Sequence, residues 1–139
     1  MQSSLRQLLA TLELTREARE ALYVWFHQHP ELSLQEAQTA SKIRSRLDAL
    51  QLAYTEVGDT GTVCVVHNGP GSVVAIRADI DGLPVKERSG KPYASKARQV
   101  DAVSGHAEWV SHTCGHDFHI MGVLLSLIHI SEPTRLLSI

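Results

Sequence analysis

Several things are scarce in this sequence, and each scarcity removes a class of protein. There are two cysteines, Cys64 and Cys114, one in an apolar run and the other among histidines, which argues for reduced thiols rather than a disulfide framework. No apolar run approaches the roughly 18 residues that cross a bilayer. Residues 1–6 lack the basic-then-apolar order of a secretory signal. The net charge is −2, with no basic block, so there is no electrostatic case for nucleic acid or an anionic membrane surface. The expectation is a soluble, cytoplasmic protein. What is present is ordinary: 43% apolar and 20% charged residues over 139 positions, enough for one buried core.

Apolar residues at Leu5, Leu8, Leu9 and Leu12, then at Ala18, Leu22, Trp25 and Phe26, predict helical structure over residues 4–28, with Thr15 as the cap of a second helix and Glu17 in its first turn. Pro30 disfavours helix at His29, so His27 and His29 read first as a solvated helix end and second as ligands. Ser33-Leu34-Gln35-Glu36 has the form of a capping box. The helix it would open buries Ala37, Ala40, Ile43, Leu47 and Leu50, with Lys42, Arg44 and Arg46 on the solvated side. From Tyr54 the period changes. Residues 54–57 predict a short strand and 58–61 a turn. Residues 62–67 and 72–78 predict two further strands, joined at Asn68-Gly69-Pro70-Gly71 as a hairpin inside a covered sheet. No helix follows either glycine-bearing loop, so no phosphate cradle is read there. Residues 85–110 form a long connector, either functional or unpacked, in which His106 and Trp109 have no evident role.

Two stretches carry chemistry. The strand at 72–78 runs into Arg77-Ala78-Asp79-Ile80-Asp81-Gly82-Leu83-Pro84, at the kind of strand end where sites gather. Arg77 and Asp79 share a face by alternation; a mutual salt bridge, with Asp81 opening a turn, is the purely structural alternative. Residues 111–119, S-H-T-C-G-H-D-F-H, place three imidazoles, a thiol and a carboxylate in nine positions, the donors that bind divalent transition metals. Cys114 and His116 lie two apart across Gly115, a spacing that lets both converge on one ion. Asp117 could be a ligand or could orient a histidine. His112 and His119 could bind metal, substrate or an oxyanion. Two other readings remain: Cys114 as a thiol nucleophile activated by His112 or His116, and a merely structural cluster. A closed structural zinc site needs a second ligand pair, and none stands at a matching distance. No Glu-Glu pair follows either, so a catalytic site would need further ligands from elsewhere.

Six motifs in order carry a resemblance: H-x-x-P-E-L-S-x-x-E (27–36), T-G-T (60–62), G-P-G before an apolar run, R-A-D-I-D-G-L-P-V-x-E (77–87), P-Y-A-S (92–95) and H-x-C-G-H-D-x-H (112–119). Across about residues 22–124 the chain resembles the start of the metal-dependent amidohydrolases and metallopeptidases that include aminoacylases, hippurate hydrolases, N-acetyl-diaminopimelate deacetylases and indole-acetyl-amino-acid hydrolases. The resemblance implies an α/β fold, the N-terminal part of a zinc-peptidase-like αβα catalytic domain with a mainly parallel central sheet. It implies two divalent ions, manganese or zinc, a small N-acyl amino acid or peptide-like substrate, and a homodimer formed through a lid domain outside this chain. Cys114 and His116 match metal ligands, and Asp79 matches the catalytic-site carboxylate that orients a ligand histidine. His112, Asp117 and His119 remain candidates for substrate binding or ligand support. The general base, a glutamate of a Glu-Glu pair, would lie outside the chain with the remaining ligands. It would deprotonate a metal-activated water for attack on the amide carbonyl. Ser111, Thr113 and the connector 94–111 depart from the family's usual pattern, which bears on substrate preference more than on reaction type.

After Leu124 the glycine and alanine expected from the resemblance give way to L-S-L-I-H-I-S-E-P-T-R (125–135). That string resembles the translation of a transposase adapter used to prepare DNA libraries; an apolar helix broken at Pro133 is the alternative. The expected organisation is residues 1–124 from the catalytic domain and 125–139 as a non-native tail, a piece inactive by itself. The reading from another class is a self-contained, non-catalytic metal-binding or interaction domain.

Overall fold

The structure, a computed structural model, describes residues 16–67 and 69–131; the helical spacing at Leu5 to Leu12 lies outside them. Helix α1 spans Arg16–Gln28, α2 Ala37–Ala49 and α3 His116–Ser131. Between α2 and α3 come strands β1 Tyr54–Val57, β2 Gly61–Cys64, β3 Arg98–Val100 and β4 Ala107–Trp109. Most of the helical spacing read from sequence is the packing observed, but Ala18 and Ala37 are exposed. Phe26 from α1, Leu47 from α2, and Ile120, Met121 and Leu124 from α3 form the buried cluster, with Leu22, Ile43 and Leu52 against it. Each such side chain contributes roughly 1.5–3 kcal/mol when fully buried. Leu125 and Leu127, at the start of the stretch read as a tail, also pack on this core.

Helix α2 begins later than the capping box suggested. Leu34 adopts a left-handed φ of 64°, and the N-cap residue Glu36 makes no side-chain capping bond. The helix start is held by Glu31 instead. Its buried carboxylate accepts the backbone N–H of Gln38 at 3.1 Å and of Thr39 at 2.8 Å, and the Thr39 hydroxyl at 2.8 Å. A negative charge there also meets the positive end of the helix dipole. Arg44, read as solvated, instead joins α2 to the first hairpin. It donates to Gly61 O and Thr62 Oγ1, both at 3.2 Å, and pairs with Glu56 at 2.8 Å.

The expected mainly parallel sheet is not what forms. Among the described residues there are two separate antiparallel pairs, β1 with β2 and β3 with β4, and parallel pairing is limited to a single bridge between Leu32 and Gly82. The hairpin lies one strand earlier than predicted, with Tyr54 opposite Cys64 and Gly58 turning at φ 60°. The apolar run 72–78 has no regular structure, and Val73, Val74 and Ile76 are 94%, 83% and 59% exposed. Its residues suit a strand, but a strand exists only where another strand accepts its ladder. The connector 85–110 is packed rather than loose. Ser95 is buried and bonds Val110 O at 2.7 Å, while Ser111 Oγ donates to Val85 O at 2.7 Å. Trp109 lies under two cations, Lys86 Nζ at 4.6 Å and the Arg98 guanidinium at 5.1 Å.

Candidate active site

Three segments meet at Asp81-Gly82-Leu83. Gly82 N donates to Glu31 O at 2.6 Å, Leu83 N to Ser111 O at 2.9 Å, and Ser111 N returns a bond to Leu83 O at 3.1 Å. Glycine is required by the closeness of this crossing: a Cβ on Gly82 would stand 2.9 Å from Val110 Cγ1 and 3.0 Å from Pro30 Cβ. The clasp delivers Asp81 to the start of α3. There His116 Nδ1 lies 3.0 Å from Asp81 Oδ1 and 2.9 Å from the Asp81 carbonyl. Both partners are acceptors, so the proton belongs on Nδ1 and Nε2 keeps its lone pair outward.

The chain turns into α3 through Gly115, whose φ of 76° is left-handed. Gly115 N bonds His112 O at 3.1 Å, and Gly115 O accepts from Phe118 N and His119 N, each at 3.1 Å. This leaves Cys114 free and exposed beside His116. His119 is also exposed, its ring 5.7 Å from that of His116. His112 is buried, and neither of its ring nitrogens has a hydrogen-bond partner. Burial pushes its pKa down, outweighing the attraction of the Asp117 charge and of the nearby Asp81 backbone carbonyl. Neither His112 nor His116 bonds the Cys114 sulfur among the described residues, so the pairing needed for an activated thiol is not formed.

Asp117 is buried at 2% exposure. Its Oδ2 accepts His27 Nδ1–H at 2.7 Å, and its Oδ1 accepts Phe118 N at 2.8 Å. The other nitrogen of His27 meets Glu87 Oε1 at 3.2 Å. His27 is thus no solvated helix end. Burial alone would lower its pKa, but the hydrogen bonds and charges of Asp117 and Glu87 prevail and raise it. Glu87 is affected in the opposite sense: burial would raise it, and bonds from Ser89, Ser95 and His27 hold it below the usual range. Tyr23, alongside, is pushed up to about 12 by burial and by the Asp117 charge. Sequence reading missed His27 because Pro30 suggested solvent and its partners lie 60 and 90 residues away. The available signal was its place at the head of the H-x-x-P-E-L-S motif.

Asp79, matched by resemblance to the histidine-orienting carboxylate, ion-pairs with Arg77, and its side chain is 44% exposed. It is Asp81 that reaches His116. Among the described residues, no group of three or more His, Cys, Asp and Glu side chains is placed to hold a metal ion. The donors that are present nonetheless fit part of one: an exposed thiol, an imidazole with its outer nitrogen free and its inner nitrogen held by a carboxylate, and the orphaned nitrogens of His112 close in sequence.

Across the part it spans, the chain is similar in sequence and in structure to metal-dependent hydrolases, an M20-family peptidase among them. Among sequence relatives, the N-acetylcysteine deacetylase of Bacillus subtilis is 40% identical over 101 residues, covering 70% of this chain and 24% of the relative. An uncharacterised hydrolase of Staphylococcus aureus is 37% identical over 99 residues, covering 71% and 23%. Among solved structures, the Bacillus subtilis YXEP protein, a dinuclear metal binding peptidase of the M20 family, superposes with a TM-score of 0.74 at 32% identity, covering 87% of this chain and 32% of that one. The chain therefore spans under a quarter of the curated relatives' length. No protein-family model matches it.

Proposed function

We propose that this chain is the N-terminal, ligand-bearing portion of a metal-dependent amidohydrolase that cleaves the amide bond of an N-acyl amino acid. The observation that carries the reading is the His116–Asp81 pair beside Cys114, an imidazole fixed by a carboxylate with its outer nitrogen free. Carboxylate-held histidines of this kind are the usual form of a metal-ligating imidazole. Cys114 and His116 would contribute to holding the two divalent ions, manganese or zinc. When bound, such ions lend Lewis acidity to the substrate carbonyl and to the attacking water. The chain's own residues do the rest. Asp81 keeps the His116 proton on Nδ1. Asp79 pairs with the exposed Arg77, and we assign the histidine-orienting role to Asp81 instead. Buried, neutral His112 is suited to hydrogen-bond a substrate oxygen, and exposed His119, its ring 5.7 Å from that of His116, is a further candidate for substrate binding. The relationship to an N-acetylcysteine deacetylase supports a small N-acyl amino acid as substrate. We place the boundary of the enzyme sequence at about residue 124, with 125–139 foreign to it.

With two donors of a larger set, the 139-residue chain is expected to bind zinc weakly, to lose it to a chelator, and to hydrolyse no N-acetyl amino acid. Cys114→Ser should abolish the residual binding. An ion retained stoichiometrically through chelation, or measurable hydrolysis by this chain, would overturn the reading.

A further inference from the structure

We propose that His27 is a positioning residue for the Cys114–Gly115–His116 loop, acting through Asp117. The inference deepens the preceding one and rests on its reading of Cys114 and His116 as ligands. His27 sits in the last turn of α1 with its side chain 14% exposed. Its two nitrogens bridge carboxylates from two other parts of the chain, Asp117 at 2.7 Å and Glu87 at 3.2 Å. The rings of Tyr23 and Tyr93 enclose it at 5.6 and 5.3 Å. Glu87 is anchored in turn by Ser95 N at 2.5 Å. One imidazole therefore ties α1, the connector and α3 together.

The loop it serves has little packing of its own. A Cβ on Gly115 would meet nothing within 4 Å, and Cys114 is exposed. Beyond the His116–Asp81 bonds and the Gly115 N–His112 O turn, the loop's orientation comes from the start of α3. There Asp117 directly follows His116 and both caps Phe118 N and accepts from His27. A shift of Asp117 turns the His116 ring relative to Asp81.

Two variants separate the bonds. In His27→Asn the amide can still donate from the Nδ1 position to Asp117; in His27→Gln it reaches toward Glu87 and the Asp117 bond is lost. Amide hydrogen exchange of the 139-residue chain is the first readout. His27→Gln should speed exchange at Phe118 and His119 about tenfold, leave Ala40 and Leu47 of α2 unchanged, and exceed His27→Asn. The second readout is cobalt(II) titration followed by the thiolate-to-metal absorption band. His27→Gln should weaken affinity about tenfold, the low end for groups that orient ligands, and His27→Asn should restore most of it. Unchanged exchange at residues 118 and 119, equal effects of both variants, or faster exchange spread through α2 would each overturn the proposal. So would local loosening without weaker cobalt binding. Failure of the wild-type chain to bind cobalt through Cys114 would sink the proposed function, and with it the metal role of His27. The exchange pattern would still decide whether His27 holds the loop.

Discussion

At His27 burial and hydrogen bonding act against each other, and the net effect sets a pH dependence. Burial favours the neutral ring, while bonds to Asp117 and Glu87 favour the imidazolium, and the pKa ends above its ordinary value of 6.5. A pKa raised on folding means that the charged group stabilises the native state. That contribution is complete below about pH 6.5, the unfolded value, and is lost as pH rises through the folded pKa. Glu87, depressed on folding, contributes at neutral pH and loses its share only as pH falls into the carboxylate range. A series of urea midpoints from about pH 6 to pH 8.5 is thus expected to decline in the wild type and to be flatter in His27→Gln. Parallel curves would show that the bridge contributes no linkage. None of this was legible locally. The motif marks His27 as unusual, but nothing nearby names carboxylates 60 and 90 residues away.

Among elements, α1 and α2 were legible because helical periodicity depends only on neighbours three and four positions apart. The faces predicted from Leu22, Phe26, Ile43 and Leu47 are those that pack. Element ends were less legible, since they are decided by groups reached through space. Glu31 rather than Ser33 serves the start of α2, and Arg44 leaves the solvated face to join the hairpin. The two ends of that junction should differ in weight. Glu56 is 58% exposed, so Glu56→Gln is expected to cost under about 1 kcal/mol, as exposed ion pairs do. Arg44→Ala also removes the bonds to Gly61 and Thr62 and should cost about 2 kcal/mol, since hydrogen bonds from a charged donor outweigh neutral ones. Chemical denaturation of both variants checks the order; equal losses would place the weight on the ion pair.

For the whole molecule, the run 72–78 is the clearest departure from expectation. Its β-branched residues predicted a strand, and the structure leaves Val73, Val74 and Ile76 exposed and without a ladder among the described residues. Exposed apolar chain with unpaired backbone invites intermolecular pairing. The 139-residue chain is therefore expected to self-associate as concentration rises. The double substitution Val74→Lys and Ile76→Lys should shift light scattering toward monomer without lowering the thermal midpoint. Scattering unchanged by those lysines would locate association elsewhere. The sequence by itself determined the donor chemistry, the order of motifs and the apolar faces of the helices, because residue type and short-range spacing suffice for these. Only the tertiary structure decided that Asp81 rather than Asp79 reaches His116, that His27 bridges two carboxylates, and that no parallel sheet forms among the described residues. Each of those depends on which distant groups meet across the fold, and hydrogen-bond geometry is selective to a few tenths of an ångström. Sequence spacing along a folded chain does not specify distances that fine.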